Sequence, residues 1–230
     1  MGLLWDLYTS EDAIREDKRK MEHVVITISR AYGSGGSMIG KNIAEKLGIA
    51  YFDRNLIDKI AHERGLDKAY IPNWREDSSS LYIWGADDPS AQVWNLNYWK
   101  SGSPYYSSEK EMFCVQSKII CELAKAGPCV FVGRCADFVM KDRKRCLRIW
   151  IGTDEDSRRT RLYDEYWVRN GNLTEKIRIV DKGRASYYRR CTGQLWGEHN
   201  NYHINLDSGA LGMGECTRIV CSSAEKFGCL

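Results

Sequence analysis

The run Val24-Val25-Ile26-Thr27-Ile28 is followed at once by Ser29-Arg30-Ala31-Tyr32-Gly33-Ser34-Gly35-Gly36-Ser37. The first five residues are β-branched and predict a short buried strand. The next nine form a glycine-rich loop. After it, Ile39, Ile43, Ala44 and Leu47 recur at helical spacing, and Gly48 closes that helix. Strand, tight loop and helix start together make an anion-binding device. Glycines let backbone N–H groups converge, and the helix N-terminus adds partial positive charge. The bland alternative is a tight turn between two elements, and the loop alone does not exclude it.

The rest of the chain supplies the context. Ile49 to Asp53 predicts a second strand ending in a carboxylate, and Leu56 to Arg64 a helix closed by Gly65. Glu109 to Ala126 predicts a helix stopped by Gly127-Pro128. Cys129-Val130-Phe131-Val132 is a third strand that runs into Gly133-Arg134. Leu147 to Ile151 is a fourth, residues 154–190 form an Arg-rich helical region, and His203 to Leu206 is a fifth strand ending in Asp207-Ser208. A last helix covers about 214–227. Short buried strands alternating with helices predict a parallel sheet in a three-layer α/β/α fold. In such sheets ligands collect at the carboxyl ends of the strands. The glycine loop, Asp53, Gly133-Arg134 and Asp207-Ser208 all fall there.

Two segments stand apart from this core. Residues 1–22 are polar and read as an N-terminal extension without chemistry. Residues 67–108 carry Trp74, Trp84, Trp94 and Trp99 amid turn signals, and read as an insertion. The core is then 23–66 and 109–230.

The 230 residues carry 34 basic and 31 acidic side chains, a formal charge of +3 that argues against nucleic-acid binding by bulk electrostatics. The basic run Lys141 to Arg148 lacks interleaved aromatics. Nine cysteines without a Cys-x-x-Cys pair fit reduced thiols rather than a disulfide scaffold or zinc ribbon. No apolar run approaches the ~20 residues needed to cross a bilayer. Met1 to Glu11 lacks the basic and apolar halves of a secretory leader. The expectation is a cytoplasmic protein with no membrane partner.

The phosphate-loop pattern Gly-x-x-x-x-Gly-Lys-Ser/Thr is approached but not met. With Gly35 as its second glycine, Arg30 takes the first glycine position, Gly36 the lysine position and Ser37 the hydroxyl position. Arg30 then supplies a permanent planar cation in place of the lysine. This requires an open loop with Arg30 and Arg134 facing it.

Ile26-Thr27-Ile28-Ser29-Arg30-x-Tyr32-Gly33-Ser34-Gly35-Gly36, with Ile43-Ala44-Glu45-Lys46-Leu47-Gly48-x-x-Tyr51-x-Asp53, resembles the cytidylate kinase-like family. Val132-Gly133-Arg134-Cys135-Ala136-Asp137 and Asn201 to Asp207 extend the resemblance over residues 22–227. It implies a P-loop core, a nucleoside-monophosphate-binding insertion at 67–108 and a lid at about 154–190. It also implies ATP as donor, magnesium and a small nucleotide as acceptor; a homodimer is compatible with it. By resemblance, Gly33, Ser34, Gly35, Gly36 and Ser37 hold donor phosphates, with Ser37 reaching magnesium. Asp53, Arg54, Lys59 and Arg134 hold the acceptor. Arg158, Arg159 and Arg161 open the lid and Arg184 and Arg189 close it, so that Arg30, Arg134, Arg158 and Arg161 carry the catalytic charge. Gly36 in place of lysine, and Cys135 in place of an acidic residue, depart from the pattern. They leave a second reading open: a nucleotide- or phospholigand-binding module with weak or no turnover.

Bland roles compete at several positions. Asp154, Glu155 and Asp156 suit a helix first turn, and the arginines after them suit solvated i,i+4 pairs. Asp137 suits a helix cap. His199 and His203 have no metal-ligand spacing around them.

Overall fold

The computed structural model describes residues 23–63, 105–164 and 172–227. The N-terminal extension and the Trp-rich insertion lie outside them, apart from the insertion's last residues. Thirteen strands and α-helices follow in order, with a short 3-10 helix (His199–Asn201) before the last strand: β1 (Val25–Arg30), α1 (Gly36–Leu47), β2 (Ala50–Phe52), α2 (Arg54–Glu63), α3 (Tyr105–Ala126), β3 (Cys129–Val132) and α4 (Ala136–Val139). Then come β4 (Cys146–Gly152), α5 (Glu155–Asp164), α6 (Leu173–Thr192), β5 (Ile204–Asp207), α7 (Ser208–Leu211) and α8 (Met213–Lys226).

The five strands form one parallel sheet in the order β2-β3-β1-β4-β5. β1 is central, and all six of its residues are buried. Its two faces serve two cores, which is why its first four residues, Val25 to Ile28, are all β-branched and buried on both faces. Ile26 and Ile28 pack with Ile39 and Ile43 of α1 and Val220 and Ala224 of α8. Val25 and Phe131 pack on the other face with Ile57 of α2 and Ile119 and Ile120 of α3. Each such side chain contributes about 1.5–3 kcal/mol by leaving water. Helices on both faces of a parallel sheet make the three-layer α/β/α fold read from the sequence.

β1 runs two residues further than its β-branched core, because β4 is long enough to keep pairing. Ser29 lies beside Trp150 and Arg30 beside Ile151. Arg30 is therefore the last strand residue, not a loop residue. Within the Arg-rich region two helices are described, α5 and α6. Asn172 caps α6 by accepting from the Glu175 amide at 3.2 Å. The four-residue helices α4 and α7 are too short to leave a periodic signature.

The eight described cysteines are free thiols. Cys129 and Cys146 sit in the sheet interior, where burial pushes both thiols up to about 12. Among the described residues, no helix is long and apolar enough to cross a membrane.

Candidate functional site

The loop between β1 and α1 surrounds a cavity of about 60 Å³, lined among others by Arg30, Tyr32, Gly33, Gly35, Gly36 and Ser37. That is several times the ~10–15 Å³ that one water requires. The N-cap of α1 is Gly35, which offers no side-chain hydrogen bond to the helix amides. A helix start without a side-chain cap leaves its first N–H groups to be satisfied by another acceptor.

Gly36 explains the missing lysine. A Cβ placed on Gly36 would lie 2.5 Å from Arg30 Cβ and 2.8 Å from Arg30 Cγ. The Arg30 stem fills the space where a loop lysine would begin. Its guanidinium runs on to Gly133, where a Cβ would collide with Arg30 Nη1. Gly133 also has φ +80°, a conformation costly for any other residue. Arg30, only 7% exposed, thus spans from the glycine loop to the turn after β3.

That turn is unusual. Arg134 (φ 55°) and Cys135 (φ 54°) follow Gly133 in left-handed conformation. A non-glycine residue held there costs on the order of 1–3 kcal/mol, and such strain concentrates at functional sites. Arg134 does not face the loop. Its Nη2 donates to Asp58 Oδ2 on α2, and its guanidinium lies 5.9 Å from the Tyr187 ring centroid. Arg54 Nε stands 3.8 Å from the same Asp58 oxygen. Of the two guanidinium groups expected at the loop, the structure sends that of Arg30 past the loop to Gly133, with only its stem on Gly36, and turns that of Arg134 toward α2.

The helices α5 and α6 lie against the loop. Arg161 Nη1 donates to the Gly33 carbonyl at 2.8 Å. Arg184 Nη1 donates to the Arg30 carbonyl at 2.8 Å, and its guanidinium sits 5.7 Å from the Tyr32 ring centroid. Arg158 Nη1 donates to Asp181 Oδ2 at 2.6 Å, and Asp181 Oδ1 accepts from the Tyr32 amide at 2.8 Å. Arg159 is exposed and pairs with Asp156 at 3.4 Å. Arg189 is exposed near the end of α6, away from these contacts. So Arg158, Arg161 and Arg184 are brought to the loop's flank, while Arg159 and Arg189 are not.

Of the residues expected to hold the acceptor, Asp53 caps α2: its Oδ1 accepts from the Leu56 amide at 2.9 Å. Lys59 is exposed on α2. Ser34 Oγ donates back to the Ala31 carbonyl at 2.8 Å, which ties the hydroxyl to its own loop. Ser37 lines the cavity. Lys41 is on the solvent face, 3.9 Å from Glu45.

Sequence reasoning missed Asp58, Gln116, Asp181 and Tyr187, and it placed Ser208 at a strand end without giving it a partner. Ser208 Oγ donates to the Ser34 carbonyl at 2.6 Å, so the end of β5 buttresses the loop. Asp207 holds that hydroxyl in place by capping α7 at the Gly209 and Ala210 amides. One signal was available. Arg158 and Arg161 are three apart, as are Asp181 and Arg184, so each pair shares a helix face.

Asp137 is 3% exposed behind the strand ends. It accepts from Tyr188 Oη at 2.6 Å and from Ser29 Oγ at 3.2 Å, and it also bonds backbone N–H groups of its own first turn. Burial nevertheless dominates and raises its carboxyl above the ordinary 3.8. A raised folded-state value favours the protonated form, so this contribution to stability is complete below the unfolded value and is lost as pH rises through the folded one. Relative to Asp137→Asn, the wild type should therefore gain melting temperature as pH falls from about 7 to about 4. A gap that stays flat or moves the other way would show that the Tyr188 and Ser29 bonds outweigh burial.

A family model described as the cytidylate kinase-like family matches residues 25–210. The chain belongs to that family. Among curated proteins, none matches it. This cytidylate kinase-like chain is similar in fold to an uncharacterized protein from Eubacterium ventriosum, with TM-score 0.62 and 18% identity over 88% of this chain and 99% of that one. Shikimate kinase from Acinetobacter baumannii, solved with shikimate, aligns with TM-score 0.47 and 14% identity over 91% of this chain and 97% of that one. Kinase-like nucleotide chemistry is the general expectation for this family.

Proposed function

We propose that this protein is a nucleotide-binding phosphotransferase that moves the γ-phosphoryl of ATP to a nucleoside monophosphate or a related small acceptor. The observation that carries the reading is the course of Arg30. Its stem replaces the loop lysine's at Gly36, and its guanidinium ends at Gly133, between the glycine loop and Arg134. A permanent cation thus stands between the donor loop and the acceptor side, where charge develops on the transferred group.

In this reading Gly33 to Ser37 hold the donor phosphates by main-chain N–H groups at the start of α1. Arg161 and Arg158 add charge from α5, and Arg184 and Arg189 belong to the same lid. Arg134, Arg54 and Lys59 receive the anionic part of the acceptor, and Asp53 orients α2 beneath it. Among the described residues, no trio of His, Cys, Asp or Glu side chains converges on a metal site. Magnesium fits here with the Ser37 hydroxyl as its protein ligand and the nucleotide's phosphates completing the set. When bound, it neutralises phosphate charge.

The departure at Gly36 favours one rival, a binding module without turnover. A thermal-shift panel of nucleoside mono- and triphosphates, run on wild type and Arg30→Ala, tests the reading. Ligands that bind the native state raise its melting point by mass action. Stabilisation by ATP that disappears in Arg30→Ala is the expected result. Equal stabilisation of both would take the role away from Arg30. Binding with no product over a range of acceptors would favour the module.

A further inference from the structure

Arg134, Asp58, Gln116 and Tyr187 close a ring. Arg134 Nη2 donates to Asp58 Oδ2. Gln116 Nε2 donates to Asp58 Oδ1 at 3.0 Å, and Tyr187 Oη donates to Gln116 Oε1 at 3.0 Å. The Tyr187 ring then lies against the Arg134 guanidinium, 5.9 Å from centroid to Cζ. The four residues come from α2, α3, the turn after β3, and α6.

The chemistry fixes every orientation in this ring. A carboxylate only accepts, so Gln116 must turn its NH₂ to Asp58 and its oxygen to Tyr187. The phenol must then donate. Burial pushes the Tyr187 phenol well above its ordinary range, which keeps that proton in place. Gln116 is fully buried and the Arg134 side chain is 7% exposed, so these bonds are shielded from water. The Asp58 side chain is 27% exposed and reachable from solvent.

A guanidinium recognises an anion through a planar fork, and it does so well only when its plane is already fixed. Arg134 also sits on a left-handed backbone, which persists only when its surroundings over-determine it. Arg134 and Arg54 both lie against the Asp58 carboxylate, so one acidic side chain orients the guanidinium groups of two elements.

We propose that Asp58, locked by Gln116 and Tyr187, is the positioning residue that aims Arg134 at the acceptor's anionic group. It sets acceptor affinity and leaves donor affinity alone. This rests on the phosphotransferase reading above.

Calorimetric titration of the full chain with ATP, CMP and UMP separates the possibilities. In Asp58→Asn the monophosphate dissociation constant should rise about 10-fold or more, since a bond to a charged group is lost. The ATP constant should change by less than about 2-fold, and Asp58→Glu should recover part of the loss. Tyr187→Phe, which removes the far bond of the ring together with the hydroxyl's contact with Cys191, should weaken monophosphates alone and by less. Equal loss for both nucleotide classes, or none, overturns the proposal. Should Asp58→Asn fail to fold, Tyr187→Phe carries the same decision.

A second readout needs no ligand. NMR of arginine side chains, with the Arg134 signal assigned by Arg134→Lys, should show restricted guanidinium rotation in wild type that is released in Asp58→Asn. Unchanged restraint overturns the positioning role. A wild type that binds neither nucleotide class overturns the phosphotransferase reading itself, and with it the acceptor half of this one.

Discussion

Gly36→Lys, which inserts the lysine that the phosphate-loop pattern asks for, should destabilise the protein by about 3 kcal/mol or more, beyond the usual range for overpacking. The added Cβ would meet Arg30 Cβ at 2.5 Å, and neither atom can rotate away from its own backbone. Arg30 is also anchored on both sides, by pairing with Ile151 and by the Arg184 bond to its carbonyl. For a chain of this size the melting temperature should fall by about 6–12 °C. Arg30→Gly in the same chain removes the clash and restores the spacing Gly-x-x-x-x-Gly-Lys-Ser. The double variant should therefore be more stable than the sum of its single changes predicts, by about 2 kcal/mol. Urea unfolding of the four proteins in this cycle measures it. Additive single effects would mean that Arg30 and position 36 do not compete for space. The same four proteins report on charge. If Arg30 does the lysine's work, Arg30→Gly alone loses ATP affinity and the double variant regains it.

Asp181→Ala should be the second large effect, costing about 3 kcal/mol. Asp181 holds two partners at once: the Tyr32 amide at 2.8 Å and Arg158 Nη1 at 2.6 Å. Its removal leaves a buried amide without its acceptor and a guanidinium, whose side chain is 16% exposed, without its counter-charge. Complete burial would put the charge loss alone at about 3–5 kcal/mol, and the partial exposure of both groups lowers that. Asp181→Asn keeps an oxygen for Tyr32 and should cost roughly half as much. Chemical denaturation of both variants checks the order. If Asp181→Ala proves as stable as wild type, the loop is supported chiefly by Ser208 and Arg184. The functional consequence follows from position. Tyr32 lines the cavity, so a loosened Tyr32 should weaken ATP binding more than it weakens monophosphate binding.

The parallel three-layer fold was legible because β1 opens on, and β3 consists of, buried β-branched or apolar residues without alternation, while β4 sets buried Leu147, Ile149 and Ile151 at every second position. The glycine loop was legible because its composition is dictated by close approach. Pairing partners were not. Asp58 and Gln116 are 58 positions apart, and Ser208 is 174 from Ser34; no local pattern reports such distances. Arg30 was read as a loop cation. Only the register with Ile151 shows it to be a strand residue whose stem lies on Gly36. Arg134 was read as facing the loop, because its place after a buried strand fixes its position but not its side-chain direction. The left-handed Arg134 and Cys135 leave no mark in composition, since neither is a residue that usually adopts that conformation.

Positions 30 and 36 form a lock with room for a single key. A chain that converts one kind of loop into the other by single substitutions has only one safe intermediate, with glycine at both sites. The alternative intermediate, with a side chain at both, is the clashing protein described above. The order of changes is therefore prescribed: the old cation must leave before its replacement arrives, and the intermediate carries no side-chain cation at either site. Searches built on the lysine spelling pass over chains that took this route, whereas a paired template, bulky at one site and glycine at the other, finds both.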